Sequence, residues 1–214
     1  MEVNDERTLK LSGSSRVVSD YFEICIHNIL FQRHVYPKED FKVIRKFGLN
    51  LVYSKDDEVI SYIKQITRQL HRWIVDGKIN VLTMLIVSKE TNQVSEKWMF
   101  HIDLVHDKSE EDPSSTSNNR NVKGVKTLED IQKEIQLIIR QISSSITFLP
   151  EFEDPQTFKI LVHTTDNFEA PKDWDDANLS TDIEGKGVES VKFDNFATGN
   201  HKVSTFVTYQ TREQ

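Results

Sequence analysis

The residues of this chain best suited to chemistry are its histidines, its single cysteine and the carboxylates beside them, and their closest grouping is His101, Asp103 and His106. Positions i and i+2 of a strand share a face, so His101 and Asp103 have the spacing of an acid/base pair or of metal ligands. The alternation of Val94 to Val105 assigns them otherwise. Val94, Trp98, Phe100, Ile102 and Leu104 form the core side, which leaves the intervening histidine and aspartate on a solvated face. Cys25 and His27 stand two apart in a helical stretch and point in different directions, which disfavours a Cys-His pair. As the only cysteine, Cys25 has no internal disulfide partner and reads as a small core hydrophobe. Gly185-Lys186-Gly187 lacks the flanking strand, the spacing and the Ser or Thr of a phosphate-binding loop, and reads as a flexible turn. No catalytic residue, cofactor or metal is therefore expected. The alternative, an enzyme, would rest on His101, Asp103 or His163.

The elements that position these residues make an α+β domain of long helices on a mainly antiparallel sheet. The clearest is Thr127 to Pro150, where Leu128, Ile131, Ile135, Ile138, Ile139, Ile142 and Ile146 fall within one helical arc. Thr127 with Asp130 supplies the N-cap and Pro150 the stop. Glu129, Lys133, Gln136 and Arg140 occupy the opposite face, with Leu137 apolar among them. Ser12-Gly13-Ser14 offers cap chemistry for a helix running to about Gln32, and Asp56 or Asp57 caps another that ends at Gly77. Leu9 and Leu11 alternate with polar neighbours, the pattern of a short edge strand after a mobile segment 1–10. Phe41 to Ile44 is an apolar anchor, and Leu49 to Tyr53 and Thr157 to Thr164 read as strands. Ile79 to Ser88 is continuously apolar, as a strand covered on both faces would be, and a four-residue loop joins it to Val94. Residues 107–126 are too polar to offset their ordering entropy and read as a flexible loop. Thr165 to Val188 is polar and anchored by Phe168, Trp174 and Leu179. It leads to a hairpin of Glu189 to Phe196 and Lys202 to Gln210, with Val203, Thr205, Val207 and Tyr209 on one face.

At 214 residues the chain fits one domain, 1–214, with a sizeable core. Its 27 basic and 34 acidic residues leave a net charge of −7, and no basic run stands out, so direct nucleic-acid binding is not expected. No signal peptide is evident, and the longest apolar run, Val81 to Val87, is too short to cross a bilayer. A reducing cytosol or nucleus is the expected compartment.

Five stretches carry a family resemblance: Ser12-Gly13-Ser14; Ile29-Leu30-Phe31-Gln32-Arg33 leading to Val35-Tyr36-Pro37; Glu96-Lys97-Trp98; Ile139-Arg140-Gln141-Ile142 with Thr147-Phe148-Leu149-Pro150; and His201-Lys202-Val203. In order and spacing they resemble the HORMA-domain family, in its mitotic spindle-checkpoint branch, from about Leu9 to Tyr209. The Asn-rich loop gives the sequence a fungal look. A HORMA adaptor of a translesion polymerase or DNA-repair complex is the same-fold alternative.

The resemblance implies a checkpoint adaptor that switches between open and closed states. Residues 165–210 would form a mobile safety belt with Trp174, Val191, Phe193, Phe196, His201, Val203, Val207 and Tyr209 as its anchors. In the open state the belt hairpin would cover the strand Phe158, Lys159, Ile160, Leu161, Val162 and His163. In the closed state it would cross to the strand Val94 to Val105, displacing the segment of Leu9 and Leu11, and the uncovered edge would bind a partner peptide. Implied ligands are the coiled-coil kinetochore receptor Mad-one and Cdc-twenty, the activator of the anaphase-promoting complex. An AAA+ remodelling ATPase and a pseudo-HORMA adaptor are further implied partners. Open and closed molecules would pair through Arg140, Gln141, Phe148 and Leu137. Asp194 stands where the family carries a basic residue. The implied locations are nucleus, kinetochore, nuclear envelope or pore region, and cytoplasm.

Overall fold

The structure, a computed structural model, describes residues 2–105, 126–165, 174, 181–183 and 187–211, with residues 2–12 by their backbone alone. Its elements follow in the order α1 (Glu2–Gln32), β1 (Phe41–Lys46), β2 (Leu49–Ser54), α2 (Asp57–Val75), β3 (Ile79–Ser88), β4 (Val94–Leu104), α3 (Leu128–Ser144), β5 (Gln156–Thr164), β6 (Val188–Ala197) and β7 (His201–Gln210). A five-stranded sheet has the order β5-β3-β4-β7-β6, all pairs antiparallel, and β1-β2 is a separate hairpin.

Local signals write most boundaries. The Asp56 side chain accepts from the N–H groups of Glu58 and Val59 at 2.8 and 3.2 Å, starting α2, and Gly77 follows its end at φ +62°, a conformation a Cβ would strain. Thr127 and Asp130 form a reciprocal capping box at α3. Hydrogen bonds from Thr127 hold the Asp130 carboxyl below its ordinary range. Ile131, Ile135, Ile138, Ile139 and Ile142 of α3, the Val59 to Ile74 face of α2 and residues Val18 to Leu30 of α1 bury against Leu82, Met84, Ile86, Trp98, Phe100 and Ile102 of the sheet. Burial of this kind contributes about 25 cal/mol per Å² of apolar surface and dominates the stability.

Some sequence expectations are corrected. Leu9 and Leu11 lie within α1, not in a strand, and the edge of β4 they would pair with is occupied by β7. Helix α1 begins ten residues before Ser12-Gly13-Ser14 and runs through it, so those residues do not cap it. Leu128, 69% exposed, and Ile146 leave the buried arc of α3, because they sit at the first residue of the helix and beyond its end, where the helix axis has cleared the sheet. Leu104, at the last rung of β4, is likewise exposed. The even position between Val94 and Trp98 is filled by a charged residue, Glu96, which is buried. Arg33, just past α1, meets it: Nη2 to Oε1 is 2.6 Å and Nε donates to Oε1 at 2.8 Å. The Trp98 indole donates to Glu96 Oε2 at 3.1 Å, Arg33 also donates to the Pro150 carbonyl, and its guanidinium lies 4.4 Å from the Phe152 ring centre. Burial raises the Glu96 pKa against the opposing pull of Arg33. His106, residues 107–125, Phe168, Leu179, Gly185 and Lys186 lie outside the described residues.

Candidate functional site

Strand β5 has one neighbour. Its residues pair with β3 from Gln156↔Ser88 to Thr164↔Ile79, and among the described residues no strand pairs with the opposite edge. An edge of this kind presents a row of N–H and C=O groups spaced to accept an added strand. Phe158, Ile160 and Val162 face the core, and Lys159, Leu161 and His163 face away. Aromatic rings border the edge. Phe158 meets Tyr62 of α2 at 5.6 Å and Tyr36 at 6.3 Å, both edge-on, and Tyr62 is partly open to solvent.

The β6-β7 hairpin lies on β4 at the far side of the sheet, paired from Glu96↔Tyr209 to Leu104↔His201. Phe193 stacks on Trp98 with centroids 5.8 Å apart and planes 2° apart, and Phe196, with no exposed surface, meets Tyr21 edge-on at 4.8 Å. Val203, Val207 and Tyr209 complete the buried side, and Val191 is half-buried. Polar groups fix the register. Tyr21 and Thr205 share a buried hydroxyl–hydroxyl bond of 2.8 Å, and Tyr209 donates to Glu189 at 3.0 Å. At the hairpin turn, Ser14 of α1 bonds His201 Nδ1 at 2.6 Å and also the Thr198 hydroxyl. Burial lowers the His201 pKa. At the open end, Gly187 sits at φ +75° and a Cβ there would fall 2.5 Å from Thr211 Oγ1, so the position needs glycine.

Between β5 and β6 the chain touches the body on both sides of the sheet. Thr165 N–H donates to Lys78 O at 2.8 Å, and Trp174 packs edge-on against Trp73 of the helical layer at 4.7 Å. On the other face Lys97 Nζ donates to Thr181 Oγ1 at 3.3 Å. The sequence identified Trp174 and Ser14 but not the partners they meet, Trp73, His201 and Thr198, which stand far away in the chain, nor the bond between Tyr21 and Thr205.

A second surface lies along α3 and β6. Leu137 is 47% and Phe148 43% exposed, Arg140 is exposed, and Phe148 leans on Tyr209 at 5.9 Å. Gln141 is engaged twice by Asp194: its Nε2 donates to Asp194 Oδ2 at 2.8 Å and its Oε1 accepts from Asp194 N–H at 3.0 Å. Gln141, Phe148 and Asp194 border a shallow cleft of about 540 Å³ that Ser144, Val191 and Lys192 also line.

The candidate chemical groups do not converge. His101 and His163 both pair with Val81, one on each side, which separates them by two strand spacings or about 10 Å. His101 packs on Phe206 at 5.1 Å instead. Cys25 is fully buried, which pushes its thiol pKa up. His27 accepts from Ser54 N–H at 3.3 Å and lies against Tyr53, and burial, with Lys64 nearby, lowers its pKa to about 4.

A model of the HORMA domain matches residues 14–201. The mitotic spindle checkpoint component mad2 of Schizosaccharomyces pombe is 39% identical over 200 residues, covering 94% of this chain and 93% of that protein. The spindle checkpoint component MAD2 of Saccharomyces cerevisiae is 39% identical over 206 residues, covering 95% and 98%. The DNA polymerase zeta processivity subunit of S. pombe is 23% identical over 164 residues. Among solved structures, a chain of a mitotic checkpoint complex has TM-score 0.78 and 39% identity, covering 93% of this chain and 99% of that one. Caenorhabditis elegans HTP-2 bound to a HIM-3 closure motif has TM-score 0.67 at 16% identity, covering 93% and 91%.

Proposed function

The chain belongs to the HORMA-domain family, in its Mad2 spindle-checkpoint branch, and from that premise we propose that it captures a partner peptide as an added strand on β5 and retains it with residues 165–210. It is a spindle-checkpoint adaptor, and the weaker likeness to a polymerase subunit does not compete with that branch. The observation that carries the capture reading is that no described strand pairs with the outer edge of β5 while the hairpin occupies β4. Main-chain hydrogen bonds along β5 supply affinity, and the wall of Phe158, Tyr36 and Tyr62 offers side-chain selection. With Trp174 and Thr181 held on opposite faces of the sheet, a ligand leaves only after the belt loosens, which makes release slow.

Its ligands, on this reading, are the receptor Mad-one and the activator Cdc-twenty, whose sequestration delays anaphase at kinetochores and in the nucleus. Self-association runs through Leu137, Arg140, Gln141 and Phe148, of which Leu137, Arg140 and Phe148 are exposed and Gln141 is half-buried against Asp194 of β6. The adaptor acts by binding, without catalysis. The test is capture of a synthetic peptide with two basic or apolar positions and a downstream proline, by the full chain and by a chain lacking residues 202–214. Slow release from the full chain and no capture by the truncated one are expected. Equal, slow release from both overturns the belt.

A further inference from the structure

On the sheet face turned away from the helices, strand pairing gathers charges that are far apart in the chain. Trp98↔Val207 and Val191↔Val207 set the core side, so Lys97 and His101 of β4, Lys202 and Phe206 of β7 and Lys192 of β6 project from the other. Lys192 and Lys202 are exposed, and Lys192 Nζ lies 5.5 Å from the centre of the Phe206 ring, which His101 meets edge-on at 5.1 Å. Lys97 stands at the rim, donating to Thr181. Among the described strand residues of β4, β7 and β6 on this face, Asp103, opposite Lys202, is the one carboxylate. The strip is thus positive on a chain whose net charge is −7.

We propose that this strip binds an acidic, extended segment of a partner protein, and only while the hairpin is docked on β4. The occupant follows from charge and shape. Lysines flanking a half-buried ring favour carboxylate or phosphoserine side chains on a strand-like backbone. A nucleic acid is disfavoured because the chain's overall charge repels a phosphate polymer. The dependence on docking follows from the strip's origin: Lys192, Lys202 and Phe206 come from the hairpin and Lys97 and His101 from β4, so undocking parts the hairpin's two lysines from the rest of the strip. The surface therefore reports the arrangement of the hairpin to a partner, independently of what sits on β5.

The test uses the full chain and a fluorescent peptide of about ten glutamates, with an arginine peptide and a single-stranded thymidine oligonucleotide for comparison. Saturable anisotropy changes are expected with the acidic peptide alone, weakening as salt rises. Lys192→Glu with Lys202→Glu is expected to weaken binding at least tenfold while leaving peptide capture on β5 intact, since both side chains are exposed. Absent binding, affinity indifferent to the double reversal, or tighter binding of the oligonucleotide overturns the proposal. Phe196→Ala, which removes no charge, tests the state dependence: a variant whose hairpin is shown to be released and which still binds with full affinity overturns that part.

Discussion

Phe196→Ala should release the hairpin without unfolding the domain. Phe196 is fully buried between β6 and α1, with its ring edge-on to Tyr21. Truncating a buried phenylalanine costs about 3–5 kcal/mol through lost transfer energy and the cavity left behind. The loss falls on the docked hairpin, while β3, β5 and α2 keep their contacts. A 3 kcal/mol change is a factor of about 150 in the docking equilibrium, which suffices to repopulate two topologies that differ by a few kcal/mol. Hydrogen exchange followed by mass spectrometry reads it directly. Amides of β7 and those of β4 directed at β7 should exchange about a hundredfold faster, while amides between β3 and β5 keep their rates. Uniform acceleration of all strands would mean that docking and global folding are one transition, and unchanged rates at β7 would mean that Phe196 does not hold the hairpin. Either result refutes the argument.

Three further outcomes are expected. Arg33→Ala strands the buried Glu96 carboxylate and should lower stability in urea by about 3–5 kcal/mol, whereas Arg33→Met with Glu96→Leu should recover most of that loss; a single variant of near-native stability would show that the pair is relaxed by water. His27, lowered to about 4, is neutral when folded, while an unfolded imidazole protonates near 6.5, so its contribution is complete above about pH 6.5 and is lost as pH falls toward 4; His201 is lowered and contributes in the same sense. For His27 the loss amounts to about 3 kcal/mol, and a His27→Gln variant whose urea midpoint falls just as steeply between about pH 6.5 and 4 would assign the effect elsewhere. Arg140→Glu reverses the charge at the centre of the α3 surface and should abolish self-association in sedimentation while sparing peptide capture; a surviving dimer would move the interface away from α3.

What the sequence disclosed was local. The isoleucine spacing of α3, the caps at Asp56 and Thr127 and the alternation of β4 and β7 each state a structure within a few residues, and the helices and strands stand near where those patterns put them. Leu9 and Leu11 show the limit, because a two-residue alternation in a polar segment fits a strand or a helix equally, and occupation of the β4 edge decides. The alternation of β4 passed over Glu96, since its partner, Arg33, is 63 positions away. The basic strip escaped notice for the same reason: Lys97, Lys192 and Lys202 form no run, and only pairing of β4 with β7 and β6 makes them neighbours. The proposed pairing residues rest on family resemblance alone, and there Asp194 has an internal partner, Gln141, which the residues by themselves did not suggest.

The bond between Ser14 and His201 gives the fold a mechanical grain. His201 is also the terminal rung of the β4–β7 ladder, opposite Leu104. Force drawn along β7 would load all of its rungs together, in shear. Tension applied at the N-terminus acts differently: it peels α1 turn by turn from Glu2, reaches Ser14 before any strand is loaded, and frees the hairpin turn at the rung from which the ladder unzips one pair at a time. Resistance to forced opening is set by the barrier that the force must lower, so the same molecule is strong to a tug on its C-terminal hairpin and weak to a tug on its first helix.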